Sequence, residues 1–260
     1  MLEIFTTVGE HQVHISCKSK NLVKEIHENF FRVPGVALEA DMTIWIEDGY
    51  GIPFQDYDVT ITKEESEIVF RRSDYLISAS RDYRQAKIAV HDELALKHAL
   101  LTLYSSFIVH HNWGLLIHSS CVIEGGKAHI FAGQSGAGKS TAAKLSYPRE
   151  LLSDEATLVK VSAGEIKVFD SPFRSEQKRS GDKEPVPLHS IQLLYQALQN
   201  RRVMIKKSEA LLELMDKVFY WRHEAEETQK IWGLLMQVIS RTPAYRLHFQ
   251  KNNTFWGLIS

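Results

Sequence analysis

The first 90 residues alternate apolar and polar positions with a period of two. Five pairs of apolar residues two positions apart show the pattern: Val13 and Ile15, Val59 and Ile61, Ile68 and Phe70, Ile77 and Ala79, and Ile88 and Val90. Alternation of this kind is typical of a half-buried β-strand. Turn-forming stretches at residues 48–53 and 63–66 separate the runs. The pattern therefore predicts a β-rich N-terminal domain over residues 1–90, with a short helix within residues 21–31.

From Asp92 onward the apolar residues are spaced three and four apart, which is the helical period. Asp92 is a suitable N-cap, because its carboxylate can accept a hydrogen bond from a free N–H group of the first turn. We therefore predict a helix over residues 92–111 and a second domain over residues 91–260. Further along, the pattern predicts strands at 115–123 and 128–132, a helix at 138–146, a strand at 151–159 interrupted by two carboxylates, a hairpin around 163–164, a polar loop at 171–187, a strand at 190–197, helices at 208–221 and 225–240, and a strand at 244–250.

Composition and charge exclude several classes of protein. The 31 basic and 32 acidic side chains give a formal charge of −1, which argues against a large nucleic-acid-binding surface. Residues 98–123 contain no Asp, Glu, Lys or Arg, but His, Ser and Asn interrupt the stretch, so we expect no membrane insertion. Two distant cysteines without a CxxC motif, and an N-terminus without a basic and apolar leader, predict a cytoplasmic protein.

Residues 133–140, GQSGAGKS, match the phosphate-binding motif G-x-x-x-x-G-K-[ST] at every fixed position. Glycines let successive backbone N–H groups turn inward around phosphate oxygens, and the helix that follows directs its positive end to the same place. Lys139 adds a cation for the terminal phosphates, and Ser140 offers a hydroxyl to Mg²⁺. The motif predicts ATP and Mg²⁺ as cofactors. The candidate nucleotide-binding residues are Gly133, Ser135, Gly136, Ala137, Gly138, Lys139, Ser140 and Thr141.

Two carboxylates follow the motif closely. Asp154 and Glu155 come at the end of an apolar run, 15 and 16 positions after Lys139. Transporter-type ATPases place their acidic strand much later, after an LSGGQ-type segment, and neither that segment nor an NKxD-type guanine motif is present. This short spacing favours a compact phosphotransferase.

At this point the sequence resembles a known family. His118, the motif at 133–140 and the Leu-Ser-Asp-Glu segment ending at Glu155 are similar in order and spacing to the catalytic domain of HPr kinase/phosphorylase. The resemblance implies an α/β fold: a P-loop kinase core of the HPr kinase/phosphoenolpyruvate carboxykinase type, with a β-rich N-terminal part. A shorter HPr-kinase-like group shares the Ser-Pro-Phe turn at 171–173 and the Pro-Ala-Tyr-Arg-Leu segment at 243–247. Its best-understood members phosphorylate the C-terminal Ser of lasso peptide precursors.

The resemblance also implies roles for individual residues. Asp154 is the candidate base for the acceptor hydroxyl, Lys139 neutralises phosphate charge, and Ser140 and Glu155, with Asp154, are the candidate Mg²⁺ ligands. His118 is either a contact of the terminal phosphate or of Asp154, or a core residue of its strand. Arg174 and Arg246 are candidates for binding phosphates or a substrate carboxylate, since guanidinium groups suit both.

Two features depart from the family. Its Gly/Pro/Arg-rich loop after the core is not recognisable here, which argues against HPr as the acceptor. The second acidic residue is Glu155 where the family usually has Asp, and a longer carboxylate can still reach Mg²⁺.

The sequence therefore predicts an ATP- and Mg²⁺-dependent kinase that phosphorylates a serine hydroxyl, on the C-terminal Ser of a lasso-type precursor peptide. Two alternatives stay open: a kinase of a small metabolite such as free serine, and a nucleotide-binding regulator or maturation factor without transfer activity. The expected partner is a peptide or small-molecule hydroxyl substrate, with no nucleic acid. The hexamers of the HPr kinase family leave a homo-oligomer open.

Overall fold

The computed structural model describes residues 2–31, 39–175, 183–221 and 224–259. Residues 176–182 of the predicted polar loop lie outside these ranges. The chain divides into two compact units: Met1–His111 with Tyr220–Ala225, and Asn112–Phe219 with Glu226–Ser260. Within the described ranges, no helix combines the length and the apolar character needed to cross a lipid bilayer.

In its described residues, the first unit contains a seven-stranded sheet and two helices. The sheet order is β1-β2-β3-β7-β6-β5-β4, with parallel pairing of β2 with β3 and of β3 with β7 and antiparallel pairing elsewhere. Its elements are β1 (Leu2–Val8), β2 (His11–Cys17), α1 (Val23–Asn29), β3 (Met42–Asp48), β4 (Thr60–Lys63), β5 (Glu67–Arg71), β6 (Tyr75–Ser80), β7 (Gln85–Val90) and α2 (Glu93–His110).

Helix α2 confirms the helix predicted from the change of period at Asp92. The Asp92 side chain accepts a hydrogen bond from the Ala95 N–H and so caps the first turn. The helix packs on β6 and β7 of the same unit. Apolar side chains such as Leu103 and Phe107 are fully buried, so α2 belongs to the core of the first unit.

The second unit is built around a closed ring of five strands. Strand β8 pairs with β9, β9 with β13, β13 with β12, β12 with β11, and β11 again with β8. Only the β9–β13 pair in this ring is parallel. The elements are β8 (Gly114–Glu124), β9 (Lys127–Ala132), α3 (Lys139–Leu145), β10 (Leu151–Ser153), β11 (Ala156–Val161), β12 (Ile166–Phe169), β13 (Val186–Gln196), β14 (Arg201–Met204), α4 (Lys207–Met215), α5 (Ala225–Arg241), β15 (Ala244–Phe249) and a 3-10 helix (Asn253–Leu258).

The predicted fold class, an α/β core of the P-loop kinase type, is wrong. The structure is β-rich and contains the closed five-stranded ring and the seven-stranded sheet in place of such a core. The prediction failed because strand–loop–helix is a local pattern that does not specify how the strands pair. Tight hairpins favour antiparallel neighbours: Gly125 and Gly126, both at positive φ, join β8 to β9, and a turn around Gly164 joins β11 to β12.

Candidate functional site

Residues 133–138, here called the glycine-rich loop, connect strand β9 to helix α3. Gly136 and Gly138 have φ values of 76° and 105°, in the left-handed region that glycine adopts without a steric penalty. Inside the loop, the Ala137 N–H donates to the Gln134 carbonyl over 3.1 Å. From the end of β13, the Gln196 amide donates to the Gly136 carbonyl over 2.7 Å. The loop is therefore held both by its own backbone and by a neighbouring strand.

Gly138 is also the point where the loop meets the C-terminal segment. A Cβ atom at this position would lie 2.7 Å from Cζ of Phe249, the last residue of β15. Phe249 is buried in an apolar cluster that includes Phe255 and Trp256 of the 3-10 helix and Ala142 of α3. Both the backbone conformation and the lack of space therefore require glycine at position 138.

Lys139 is the first residue of α3, and its side chain is 8% exposed. Its Nζ donates to the carbonyls of Gly133 over 3.0 Å and Gln134 over 3.2 Å. Burial lowers the pKa of Lys139 and the positive charge of Lys217 lowers it further, while the carboxylate of Glu155 raises it. The ammonium group therefore lies against the glycine-rich loop in a partly desolvated position, where a bound anion would compensate its charge.

A cleft of about 350 Å³ brings most of the predicted site residues together. The predicted residues that line it are His118, Ser135, Gly136, Gly138, Lys139, Ser140, Thr141, Asp154 and Glu155. Gly133 and Ala137 line a neighbouring cleft of about 560 Å³. Ser135 and Gly136 line both clefts, so the two clefts adjoin at the glycine-rich loop.

Asp154 and Glu155 form the turn between β10 and β11. The main-chain carbonyl of Glu155 accepts the Ser119 N–H over 3.0 Å, which fixes the turn to strand β8. Asp154 is 3% exposed. Its carboxylate accepts the Ser175 N–H over 3.0 Å and the Ser175 hydroxyl over 3.4 Å. The Asp154 carboxylate is therefore oriented by Ser175, which also lines the cleft.

His118 lies on β8, opposite Ala156 of β11. Its backbone N–H donates to the Lys217 carbonyl over 2.6 Å, and its ring centroid is 5.4 Å from that of Phe219. The side chain is partly exposed and lines the cleft of Lys139 and Asp154. The sequence left two roles open for His118: a contact of the terminal phosphate or of Asp154, or packing in the core. This position favours the contact role.

The two candidate substrate arginines are engaged by protein groups outside this cleft. Arg174 is 7% exposed, and its guanidinium donates to the Asp170 carboxylate over 2.5 Å and to the carbonyls of Ser171, Leu151 and Leu152. Arg246 on β15 pairs with Glu213 at 2.5 Å and with Glu209 at 3.1 Å. These carboxylates raise the pKa of Arg246, chiefly through the hydrogen bonds that the guanidinium donates to Glu213. A substrate role for either arginine stays a prediction.

Sequence reasoning missed Lys217, which follows the C-terminal end of α4. Lys217 is 8% exposed and lines the larger cleft together with the glycine-rich loop. Its Nζ is 2.6 Å from the Asp216 carboxylate. The segment is tied to β8, since the Phe219 N–H donates to the Leu116 carbonyl over 2.9 Å. No motif marks Lys217, which lies 78 positions from Lys139 in the sequence, so only the fold reveals it.

The residues present fit a magnesium ion that is shared with phosphates. Among the described residues, no group of three His, Cys, Asp or Glu side chains is placed to hold a metal ion by itself. Ser140, Asp154 and Glu155 nevertheless contribute oxygen donors to one cleft. Mg²⁺ is usually held in this way, by one or two carboxylates together with the phosphates of its substrate.

Comparison with curated proteins found no match. A family model described as "SynChlorMet cassette protein ScmC" matches residues 84–260. The match begins at residue 84 and the compact units divide at residues 111 and 112, so the domain boundary predicted at residue 90 stays a prediction. Since the match covers more than half of the chain, the protein belongs to the family of the SynChlorMet cassette protein ScmC.

Proposed function

We propose that this protein is an ATP- and Mg²⁺-dependent kinase that phosphorylates a serine hydroxyl. The observation that carries the proposal is the composition of one small cleft, which combines the glycine-rich loop, Lys139, Ser140 and the carboxylates of Asp154 and Glu155. Phosphoryl transfer depends mainly on positioning and charge neutralisation, and these groups supply both. The proposal rests on the cleft and on the motifs, and not on the overall fold.

Each residue has a specific task in this proposal. Backbone N–H groups of the glycine-rich loop and the Lys139 ammonium bind the phosphates. Asp154 orients the acceptor hydroxyl and takes its proton as the new O–P bond forms, while the bond from the terminal phosphorus to the bridging oxygen breaks and ADP leaves. Ser140 and Glu155, with Asp154, would hold Mg²⁺, which would supply positive charge to neutralise the phosphates.

The proposed acceptor is the C-terminal Ser of a lasso-type precursor peptide. The motif resemblance at residues 171–173 and 243–247 supports this acceptor. A cytoplasmic location belongs to the same proposal, as does a partner that is a peptide or small hydroxyl compound and not a nucleic acid. The homo-oligomer stays a prediction.

One observation favours a second candidate, a nucleotide-binding regulator without transfer activity. Asp154 is almost fully buried and already accepts two hydrogen bonds from Ser175. An acceptor hydroxyl would have to approach this carboxylate beside the Ser175 hydroxyl or in its place. If the acceptor hydroxyl does not reach Asp154, no phosphate passes to an acceptor. The protein would then act only through the difference between its nucleotide-bound and nucleotide-free states.

Transfer of label from γ-labelled ATP with Mg²⁺ separates the two candidates. The acceptors are a precursor-like peptide ending in Ser, the same peptide ending in Ala, and free serine. Wild type is compared with Lys139→Ala and Asp154→Asn. Among these three acceptors, we expect label only on the peptide ending in Ser, and a loss of about 100-fold or more in Asp154→Asn, since general base catalysis contributes at least this much.

ATP binding is measured in the same samples by calorimetry. Lys139→Ala should lose both binding and transfer, whereas Asp154→Asn should retain most of the binding. Label on free serine would assign a small-metabolite kinase. Binding that depends on Lys139, without label on any acceptor, would favour the regulator, and absence of ATP binding in wild type would overturn both candidates.

A further inference from the structure

Ser175 occupies the place that the proposed kinase would give to its acceptor. Its hydroxyl is 3.4 Å from Oδ2 of Asp154, and its backbone N–H is 3.0 Å from Oδ1. Ser175 lines the same cleft of about 350 Å³ as Lys139 and Ser140. A polypeptide serine therefore already presents its hydroxyl to the carboxylate that is proposed as the base.

Ser175 is exposed, but it follows a residue that is anchored to the protein. Immediately before it, Arg174 is anchored by the Asp170 carboxylate and by carbonyls of Ser171, Leu151 and Leu152. Asp154 lies in the turn that directly follows β10, which contains two of those carbonyls. Ser175 thus follows a residue that is bonded to strand β10, and Asp154 follows the last residue of that strand. An intramolecular reaction between groups held in this way gains a large rate advantage over the same reaction between separate molecules.

We propose that Ser175 is a site of intramolecular autophosphorylation. The inference rests on the proposed function, since it requires ATP in the cleft. The Ser175 Oγ forms a bond to the terminal phosphorus of ATP as the bond to the bridging oxygen breaks. ADP leaves with that oxygen, and the hydroxyl proton passes to the Asp154 carboxylate.

The phosphorylated chain would differ from the unmodified one at the site itself. A phosphoserine carries between one and two negative charges near neutral pH and no longer donates from its side chain. Next to Asp154 that charge is repelled, so the modified residue leaves the carboxylate. The modification would therefore leave Asp154 more accessible to an external acceptor hydroxyl.

Incubation of the full chain with γ-labelled ATP and Mg²⁺, without any acceptor, tests the inference. Labelled sites are mapped by mass spectrometry of proteolytic peptides. We expect one labelled residue, Ser175, and no label in Ser175→Ala. Ser175→Thr keeps the hydroxyl and should carry the label as phosphothreonine. Asp154→Asn should slow labelling by about 100-fold or more. Ser162→Ala, in the turn between β11 and β12, is the matched control and should be labelled like wild type.

Three outcomes would overturn all or part of the inference. Lys139-dependent ATP binding without label at residue 175 would overturn it and leave the proposed function standing. Absence of ATP binding would overturn both. A labelling rate per chain that rises in proportion to protein concentration would show transfer between copies, and so would overturn the intramolecular assignment.

Discussion

Lys139 and Lys217 are two nearly buried lysines beside the glycine-rich loop. The charge of Lys217 is close enough to lower the pKa of Lys139. Desolvation and this repulsion both disfavour the charged form of Lys139, whereas Lys217 is paired with the Asp216 carboxylate at 2.6 Å. A triphosphate placed against the loop would attract both ammonium groups. Nucleotide binding would therefore relieve the cost of burying the charge of Lys139.

Replacing Lys217 with Met should weaken ATP binding without lowering the stability of the nucleotide-free protein. A hydrogen bond to a charged group contributes about 1.5–3 kcal/mol, so the dissociation constant for ATP should rise by about 10-fold to 100-fold. The thermal midpoint of the empty protein should stay the same or rise, because repulsion on Lys139 is removed. Calorimetric titration with ATP and a thermal melt without nucleotide measure the two effects.

The matched control for Lys217 is Lys167→Met. Lys167 is a partly exposed lysine on β12, paired with Glu165 at 3.1 Å, and its loss should leave ATP affinity unchanged. If Lys217→Met lowers stability and ATP affinity together, Lys217 has a structural role only. If ATP affinity is unchanged, phosphate does not lie between the two lysines.

At the scale of elements, helix α3 depends on the C-terminal segment. The helix has only seven residues, too few to be stable without tertiary packing. Trp256 of the 3-10 helix donates through Nε1 to the Ser146 hydroxyl over 3.0 Å. Phe255 packs edge-on against Phe131 of β9 and Phe249 of β15. The last residues of the chain therefore support the loop through Phe249, which lies against Gly138.

Phe255→Ala should reduce both stability and ATP binding. Phe255 is fully buried, and replacing a buried Phe with Ala typically costs about 3–5 kcal/mol through lost burial and the remaining cavity. The cavity gives Phe249 room to move away from Gly138, which loosens the glycine-rich loop. Urea unfolding monitored by fluorescence gives the loss of stability, and calorimetry with ATP gives the loss of affinity under conditions where the variant is still folded.

Leu258→Ala is the control in the same 3-10 helix. Leu258 is 41% exposed, so its replacement should change the free energy of unfolding by less than about 1 kcal/mol. If neither variant loses stability, the Phe255 side chain does not contribute and the segment acts through its backbone alone. Normal ATP affinity in a destabilised Phe255→Ala variant would show that the aromatic cluster does not support the glycine-rich loop.

Elements with a strong local signal were predictable from the sequence. The Asp92 cap and the carboxylate interruption at 154–155 both have local physical causes, and both are confirmed. Strand β1, over Leu2–Val8, and strand β14, over Arg201–Met204, were missed. Strand β14 is an edge strand with mostly exposed side chains, so it lacks the alternation that marks a half-buried strand.

At the scale of the whole molecule, strand pairing was not predictable. The ring closes where β11 pairs with β8 and β9 pairs with β13, and each of these pairs joins residues distant in sequence. The motif and the carboxylates that follow it could identify Lys139 and Asp154 as candidate reactive residues. The fold brings both to one cleft. The motif could not indicate Lys217 or Ser175, because their relevance depends only on which strands and loops become neighbours.

The position of α2 leads to a prediction about division of the chain. Residues 91–260, the domain expected from the sequence, contain α2 but lack β6 and β7, on which α2 packs. Each large apolar side chain that is left exposed costs about 1.5–3 kcal/mol. A fragment of residues 91–260 should therefore bind a hydrophobic dye and aggregate, whereas the full chain should do neither. Light scattering and dye fluorescence at equal concentrations of the two proteins measure the difference.

The fragment tests whether the domain boundary predicted at residue 90 is also a boundary for independent folding. The second unit holds the whole cleft with Lys139, Asp154 and Ser175. A monodisperse fragment of residues 91–260 that binds ATP as tightly as the full chain would show that α2 folds with the second unit, and that the boundary at residue 90 is correct. An aggregated fragment that recovers ATP binding when Leu103 and Phe107 of α2 are replaced by polar residues would show that the exposed helix is the cause. ATP binding would then be a property of the second unit. The sheet of the first unit would serve to bury the apolar side chains of α2.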